Sequence, residues 1–123
     1  MAQDALRGRF IWHELMTSDP GAAGAFYKKV VGWKTQAWPQ DKSYTLWLAG
    51  KQGVGGLMAL PEEVKAMGVP PHWMSYLGTP DTDATATRLV ARGGRVMRAP
   101  WDIPTVGEGK WRARGAPHVV EEF

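Results

Sequence analysis

The sequence predicts an α+β fold built from two consecutive modules, each with the order strand, helix, strand, strand, strand. The first observation behind this prediction is an internal repeat with an offset of 62 residues. The repeated positions are Thr17 and Thr79, Asp19 and Asp81, Ala22 and Ala84, and Gly32 and Gly94. The second observation is that the same order of apolar and turn-forming segments surrounds both copies. Repeats of this kind indicate duplicated supersecondary units, so we expect a cleft between two copies.

Module one is predicted to cover about residues 8–60. Residues 9–16 alternate between apolar and polar side chains as a strand does. Asp19 and Pro20 are typical of a helix start, and Gly32 is typical of a helix end, so they predict a helix over 20–31. Three strands should follow at 33–38, 43–49 and 53–60. The helix residues expected to pack on the sheet are Ala22, Ala23, Phe26, Tyr27, Val30 and Val31.

A proline-bounded linker at 61–71, with one short helical turn, leads to module two at 72–123. We expect a strand over 72–78, a helix capped by Asp81 that ends near residue 92, and a strand over 95–98. A loop over 102–109 and strands over 110–114 and 117–123 complete the second copy. The whole chain is interpreted as one domain.

Composition excludes several function classes. The 123 residues contain no cysteine, which removes disulfides, thiolate nucleophiles and thiolate metal ligands. The formal charge of +3 is small and its basic residues are scattered, so no nucleic-acid binding is predicted. No apolar stretch reaches the roughly 20 residues of a membrane span, and the N-terminus has no signal-peptide core, so we expect a cytoplasmic protein. Seven tryptophans indicate a half-open aromatic cavity.

Two segments, 25–33 (AFYKKVVGW) and 91–96 (ARGGRV), resemble the vicinal oxygen chelate superfamily, which includes glyoxalase I, extradiol dioxygenases and bleomycin-resistance proteins. The motifs at 12–15 (WHEL), 55–58 (GGLM) and 70–73 (PPHW) resemble a subgroup of small glyoxalase-like proteins of unassigned activity. The resemblance implies that the eight strands curl into an open, incomplete barrel around a cavity. In metal-dependent members, ligands from the first and last strands of each module hold a divalent ion there.

The resemblance also allows the metal ligands to be tested position by position. The family's first-strand ligand lies seven residues before the capping aspartate, which places Trp12 and Met74 at those positions. The strand at 53–60 carries no side chain that could bind a metal, and the expected carboxylate of the last strand is Val119. We therefore predict no metal and no other cofactor. The alternative is a divalent metal held by histidines and a carboxylate; the candidates are His13, His72, His118, Glu14 and Glu121.

Side chains alternate between the two faces of a strand, and this alternation predicts which residues of the first strand in each module face a ligand site. We expect it to be lined by Trp12, Glu14 and Met16 from module one and by His72, Met74 and Tyr76 from module two. Glu14 is the candidate catalytic residue, because a carboxylate in an aromatic cavity is suited to general acid or base chemistry.

Other roles for these residues stay open at this point. Glu14 could instead pair with Arg98 or Arg112 and have only a structural role. Trp47 and Trp101 are candidate stacking surfaces for a flat or cationic ligand, and each fits a core or dimer contact equally well.

Two functions follow from these predictions. The first is a metal-free protein that binds an aromatic or amphipathic small molecule in a tryptophan-rich cleft. The second is a glyoxalase-like lyase, isomerase or dioxygenase that uses Glu14 or an unpredicted divalent metal, and a purely structural dimer is a third possibility. The hairpin at the C-terminal end looks shorter than in relatives, so we expect a homodimer, with exchange of strands as one way to complete it.

Overall fold

The computed structural model describes residues 7–39, 41–96, 101–102, 112–114 and 119–122. Its elements are β1 (Phe10–Thr17), α1 (Pro20–Val31), β2 (Lys34–Trp38), β3 (Asp41–Ala49), β4 (Gln52–Ala59), α2 (Glu62–Ala66), β5 (His72–Thr79), α3 (Thr82–Ala91), β6 (Trp101–Asp102), β7 (Arg112–Arg114) and β8 (Val119–Glu122). The order strand, helix, strand, strand, strand therefore occurs twice, with α2 in the linker. This confirms the predicted fold class. No helix in the described part of the chain has the length and apolar character needed to cross a membrane.

The chain forms two compact units, one of Trp12–Met74 and one of Met1–Ile11 with Ser75–Phe123. In the unit of Trp12–Met74 the strand order is β2-β3-β4-β1. Strands β2, β3 and β4 run antiparallel, and β1 lies parallel to β4 with Glu14 opposite Gly56. In the other unit the order is β5-β8-β7-β6, and β5 lies parallel to β8 with Tyr76 opposite Val119. The two modules thus repeat the same pairing of first and last strands.

Both long helices begin at the aspartates that the sequence indicates. The Asp19 carboxylate accepts a hydrogen bond from the Ala22 amide at 3.0 Å, and Asp81 does the same for Ala84 at 2.9 Å. Pro20 occupies the start of α1, where no amide donor is missed. Gly32 ends this helix with φ of 77°, a backbone conformation that glycine adopts without steric cost.

Replacing the Asp19 cap is expected to destabilise the protein measurably. Asp19→Ala leaves the Ala22 amide without its side-chain acceptor, and the loss of such a cap lowers the free energy of unfolding by about 1 kcal/mol. Urea denaturation followed by circular dichroism measures this change. Asp19→Asn is the control, because its amide oxygen caps a helix about as well as a carboxylate. An equal loss in both variants would contradict a capping role.

The core of the Trp12–Met74 unit lies between its sheet and one stripe of α1. Its buried side chains are Leu15, Trp47 and Leu57, and Ala23, Tyr27, Trp33 and Val54 pack against them. The broad packing face predicted for α1 is wrong. Phe26, Val30 and Val31 are 56%, 61% and 51% exposed, because the helix turns only the stripe that contains Ala23 and Tyr27 toward the sheet.

The strand predicted at 95–98 is wrong for its first two residues. Gly93 and Gly94 donate their amides back to the carbonyls of Val90 and Leu89, so the chain is still turning at this point. Residues 95 and 96 form no strand, residues 97–100 lie outside the described residues, and β6 begins at Trp101.

Candidate functional site

The sheet of the Trp12–Met74 unit has two chemically different faces. Leu15, Trp47 and Leu57 point to the face covered by α1. Because neighbouring residues of a strand point to opposite sides, Glu14 and Gly56 belong to the other face. We call this the open face, meaning the side of this sheet that points away from α1.

A chain of two hydrogen bonds crosses the open face. The phenol oxygen of Tyr44 on β3 accepts a hydrogen bond from the indole Nε1 of Trp12 at 2.9 Å. The same phenol donates to Oε1 of Glu14 at 2.7 Å. The ring of Trp38 meets the Tyr44 ring edge-on, with 5.8 Å between centroids. Since an indole N–H can only donate, the direction of the chain is from Trp12 through Tyr44 to Glu14. We call these three residues the Trp12–Tyr44–Glu14 relay.

The relay depends on a missing side chain in β4. Gly56 lies opposite Glu14 on one side and opposite Leu46 on the other. A Cβ built on Gly56 would coincide with the phenol oxygen of Tyr44. Only glycine at this position lets the Tyr44 ring pass over β4 to reach Glu14.

Glu14 is a buried carboxylate. It is 5% exposed, and the hydrogen bond from Tyr44 partly compensates for its removal from water. A buried carboxylate with a fixed hydrogen-bond donor can accept hydrogen bonds from a ligand or take up a proton. Both properties suit the role that the sequence predicts for Glu14. Its predicted alternative partners fall outside the description, since Arg98 lies outside the described residues and only the backbone of Arg112 is described.

The structure thus brings together two of the predicted site residues, Trp12 and Glu14. Met16 is half-buried and lies two residues after Glu14 on β1, so it belongs to the same face of the sheet. It adds Tyr44 and Gly56, which the sequence interpretation missed. The signal for Gly56 was present, because adjacent glycines inside a strand indicate a close approach of other atoms.

Trp47 does not belong to this site. It is wholly buried on the α1 side of the sheet, in contact with the rings of Tyr27 and Trp33 at 5.3 and 5.4 Å between centroids. The prediction that Trp47 binds the ligand is therefore wrong, since a ring with no exposed surface cannot stack on a ligand. Trp47 is a core residue, which is the other role that the sequence left open.

The remaining predicted residues have separate surroundings. His72 donates from Nδ1 to the carbonyl of Pro70 at 2.9 Å, and Met74 is half-buried. Tyr76 is buried and belongs to the other compact unit. Trp101 begins β6, and its side chain lies outside what the structure describes. Their place in a common site stays a prediction.

Sequence comparison places this architecture in a known family. The profile of the Glyoxalase/Bleomycin resistance protein/Dioxygenase superfamily matches residues 9–108. The chain belongs to this superfamily. The resemblance stated from the sequence motifs is therefore confirmed.

Relatives in the superfamily include longer proteins. The chain is 42% identical over 102 residues to CFP32 of Mycobacterium tuberculosis, a protein that carries a provisional glyoxylase name. It is 35% identical over 99 residues to the anthracycline biosynthesis protein DauV of Streptomyces. These matches cover 81% and 76% of this chain but only 38% and 33% of the relatives. The chain thus spans about a third of the length of these proteins.

Solved structures of the superfamily share the fold at low sequence identity. The Mn(II)-bound glyoxalase of Novosphingobium aromaticivorans has a TM-score of 0.60 and 19% identity, over 94% of this chain and 38% of that one. Methylmalonyl-CoA epimerase of Mycobacterium tuberculosis has a TM-score of 0.56 and 17% identity, over 94% and 85%. At this level of identity the likeness shows the fold.

Within the part of the chain that the structure describes, no group of three His, Cys, Asp or Glu side chains could hold a metal ion. Gly56 lies opposite Glu14, and Val119 lies opposite Tyr76. Because Glu14 and Tyr76 are equivalent positions of the repeat, Gly56 is the module-one counterpart of Val119. The fourth-strand position of module one therefore has no side chain, and the Tyr44 phenol fills its space. With Trp12 at the first-strand position, these residues do not fit a divalent metal.

Proposed function

We propose that the protein binds a small aromatic or amphipathic molecule on the open face of module one, without a metal ion at the ligand positions of the superfamily. The observation that carries the proposal is the Trp12–Tyr44–Glu14 relay. It puts a buried carboxylate beside aromatic rings, which is the composition of a small-molecule site with few fixed polar groups. His72, Met74 and Tyr76 remain proposed contributors from β5, and Trp101 from β6.

The way Tyr44 occupies the site supports a metal-free function. Its phenol is hydrogen-bonded to both Trp12 and Glu14, and it lies where a ligand side chain of residue 56 would project. A metal ion at this place would have to displace the Tyr44 phenol, and its remaining ligands would have to come from other residues. The two hydrogen bonds of the relay fix the Tyr44 phenol between Trp12 and Glu14, and this arrangement requires no metal ligand at residue 56.

A second candidate function is an enzyme that uses Glu14 as general acid or base. The burial of Glu14 and its 2.7 Å hydrogen bond to a phenol favour this candidate over a purely structural role. It differs from the first function only in that the bound molecule is changed. Product formation that stops in Glu14→Gln while binding persists distinguishes the enzyme from the binding protein.

We also propose a cytoplasmic homodimer. Its support is the C-terminal hairpin, which the sequence predicts to be shorter than in relatives, so that strands of a second chain could complete it.

The test of the proposed function combines metal analysis with a ligand screen. Protein purified without chelator is expected to contain only substoichiometric metal, and a thermal-shift screen of small molecules is expected to find ligands that stabilise it. Their stabilisation should disappear in Tyr44→Phe. The matched control is Thr45→Val, because Thr45 is the next residue of β3 and points to the opposite face. Stoichiometric manganese, iron, nickel or zinc would overturn the metal-free proposal, and shifts that persist in Tyr44→Phe would overturn the site.

A further inference from the structure

We infer that module one has a second ligand site, a cavity between α1 and the sheet, and that this site takes a small carboxylate with an apolar body. The cavity has a volume of about 330 Å³. The lining residues that matter here are Gly21, Gly24 and Lys28 of α1, Thr35 of β2, Thr45 of β3 and Leu57 of β4. We call this space the helix cavity. It lies on the α1 side of the sheet, away from the open face, so the inference goes beyond the proposed function.

The pairing of the strands gives the helix cavity its floor. Thr45 lies opposite Leu57, and Thr35 lies opposite Trp47. Residues directly opposite each other on paired strands point to the same side of a sheet. Both threonines therefore share the side of the core residues Leu57 and Trp47. The floor combines an apolar surface with two hydroxyl groups.

The space exists because α1 places glycine over this part of the sheet. A Cβ built on Gly24 meets one atom within 4 Å, the Cγ2 of Thr35 at 3.7 Å, which is ordinary van der Waals contact. Gly24 is not one of the glycines with a positive φ. Glycine inside a helix is also less favourable than alanine. Packing and backbone would thus accept a side chain at this position, and its absence keeps the volume open.

Lys28 gives the helix cavity its charge. It follows Gly24 by about one helical turn, and among the described residues that line the cavity it is the charged one. A ligand carboxylate at this end pairs with the ammonium group and accepts hydrogen bonds from threonine hydroxyls. The apolar body of the ligand then lies on Leu57. A volume of about 330 Å³ is near the lower limit of small-molecule pockets, so a single-ring molecule suits it.

Three single-ring probes of different charge test the inference on the wild-type protein. Benzoate is the anion, benzyl alcohol is the neutral probe and benzylammonium is the cation. Two-dimensional NMR of the amide groups reports both the affinity and the place of binding. We expect benzoate to shift the amides of Gly24, Thr35 and Thr45. Its Kd should lie about tenfold below that of either other probe, as a charge-assisted hydrogen bond produces.

Lys28→Met and Lys29→Met form a matched pair of variants. Both remove one positive charge from the last turn of α1, but of the two lysines it is Lys28 that lines the cavity. We expect benzoate to bind at least about fivefold more weakly to Lys28→Met and to change less than about twofold in Lys29→Met. Equal losses would mean that the overall charge of +3 attracts the anion, and they would overturn the inference.

Gly24→Leu fills the helix cavity, and Gly24→Ala shows whether the helix accepts a side chain there. We expect Gly24→Ala to raise the Tm, because alanine is the better helix former, and Gly24→Leu to abolish the benzoate shifts. A lower Tm in Gly24→Ala would mean that packing requires the glycine, which overturns the argument for an open volume. Benzoate shifts that persist in folded Gly24→Leu overturn the inference too, and the lysine pair decides it if this variant does not fold.

The open face is distinguished by Tyr44→Phe. Benzoate binding that is lost in this variant belongs to the open face and overturns the inference, as does the absence of benzoate binding to the wild-type protein. Neither outcome touches the proposed function. A thermal-shift screen of Gly24→Leu, in which the helix cavity is filled, tests the open face by itself.

Discussion

Trp47→Ala is expected to lower the free energy of unfolding by about 3–5 kcal/mol, the range found when a large aromatic side chain is removed from a core. Trp47 has no exposed surface and packs among the rings of Tyr27, Trp33 and Trp73. Its loss removes apolar burial and leaves a cavity that the surrounding rings fill only in part. Urea denaturation followed by circular dichroism measures the change.

Trp73→Ala is the matched control for this prediction. Trp73 touches the same rings but is 39% exposed, and its Nε1 donates to the phenol of Tyr27 at 3.0 Å. It already lies partly in water, so we expect less than half of the loss seen for Trp47→Ala. Equal losses in the two variants would show that Trp47 is not the centre of this core.

Trp47→Phe separates packing from hydrogen bonding at the same position. Among the described residues, the buried indole N–H of Trp47 has no hydrogen-bond partner. The phenylalanine variant therefore gives up no such bond and loses only the volume difference. We expect a smaller loss of stability than in Trp47→Ala, and a loss as large as that of Trp47→Ala would indicate that the N–H is satisfied.

The fold could be predicted because its signals are local. Asp19 and Asp81 cap helices through amides three residues away, and Gly32 ends a helix by its own backbone conformation. Such features need no knowledge of distant neighbours. The repeat then fixed the order of elements in the second module from that in the first.

The site was only partly predictable because it depends on the lateral neighbours of each strand. Strand β3 carries large apolar or aromatic side chains on both faces, so its own pattern does not tell which face is the core. The pairing of β3 with β4 decides this, since Trp47 lies opposite Gly55 and shares the core with Leu57. Tyr44 and Glu14 are 30 residues apart in sequence, and their hydrogen bond follows from the same pairing.

The exposed stripe of α1 shows a second limit of sequence patterns. Phe26 and Val30 are apolar and at helical spacing, yet they lie outside the stripe that packs on the sheet. An apolar pattern marks the side chains that gain from burial, but much of the surface of a folded protein is also apolar, so the pattern does not tell which of these side chains are buried. This information is not in the helix itself.

Gly56→Ala is expected to disrupt the relay and destabilise the protein. The added methyl group takes the place of the Tyr44 phenol oxygen, so the ring must move and both of its hydrogen bonds are lost. Overpacking of this kind costs about 1–3 kcal/mol, and each lost hydrogen bond adds about 1 kcal/mol. Ligands that depend on Tyr44 should lose their affinity in the same variant. Urea denaturation and calorimetry measure the two effects.

Gly53→Ala and Tyr44→Ala supply the controls for the clash. Gly53 lies on the same strand, and a Cβ built on it meets nothing within 4 Å, so its substitution should change stability little. In a Tyr44→Ala background the methyl group of Gly56→Ala has free space. A double-mutant cycle is then expected to give a coupling between positions 44 and 56 toward the upper end of the 0.5–3 kcal/mol seen for residues in contact. Additive effects would mean that Tyr44 does not occupy the space above Gly56, and the proposal that its phenol replaces a fourth-strand metal ligand would fail with it.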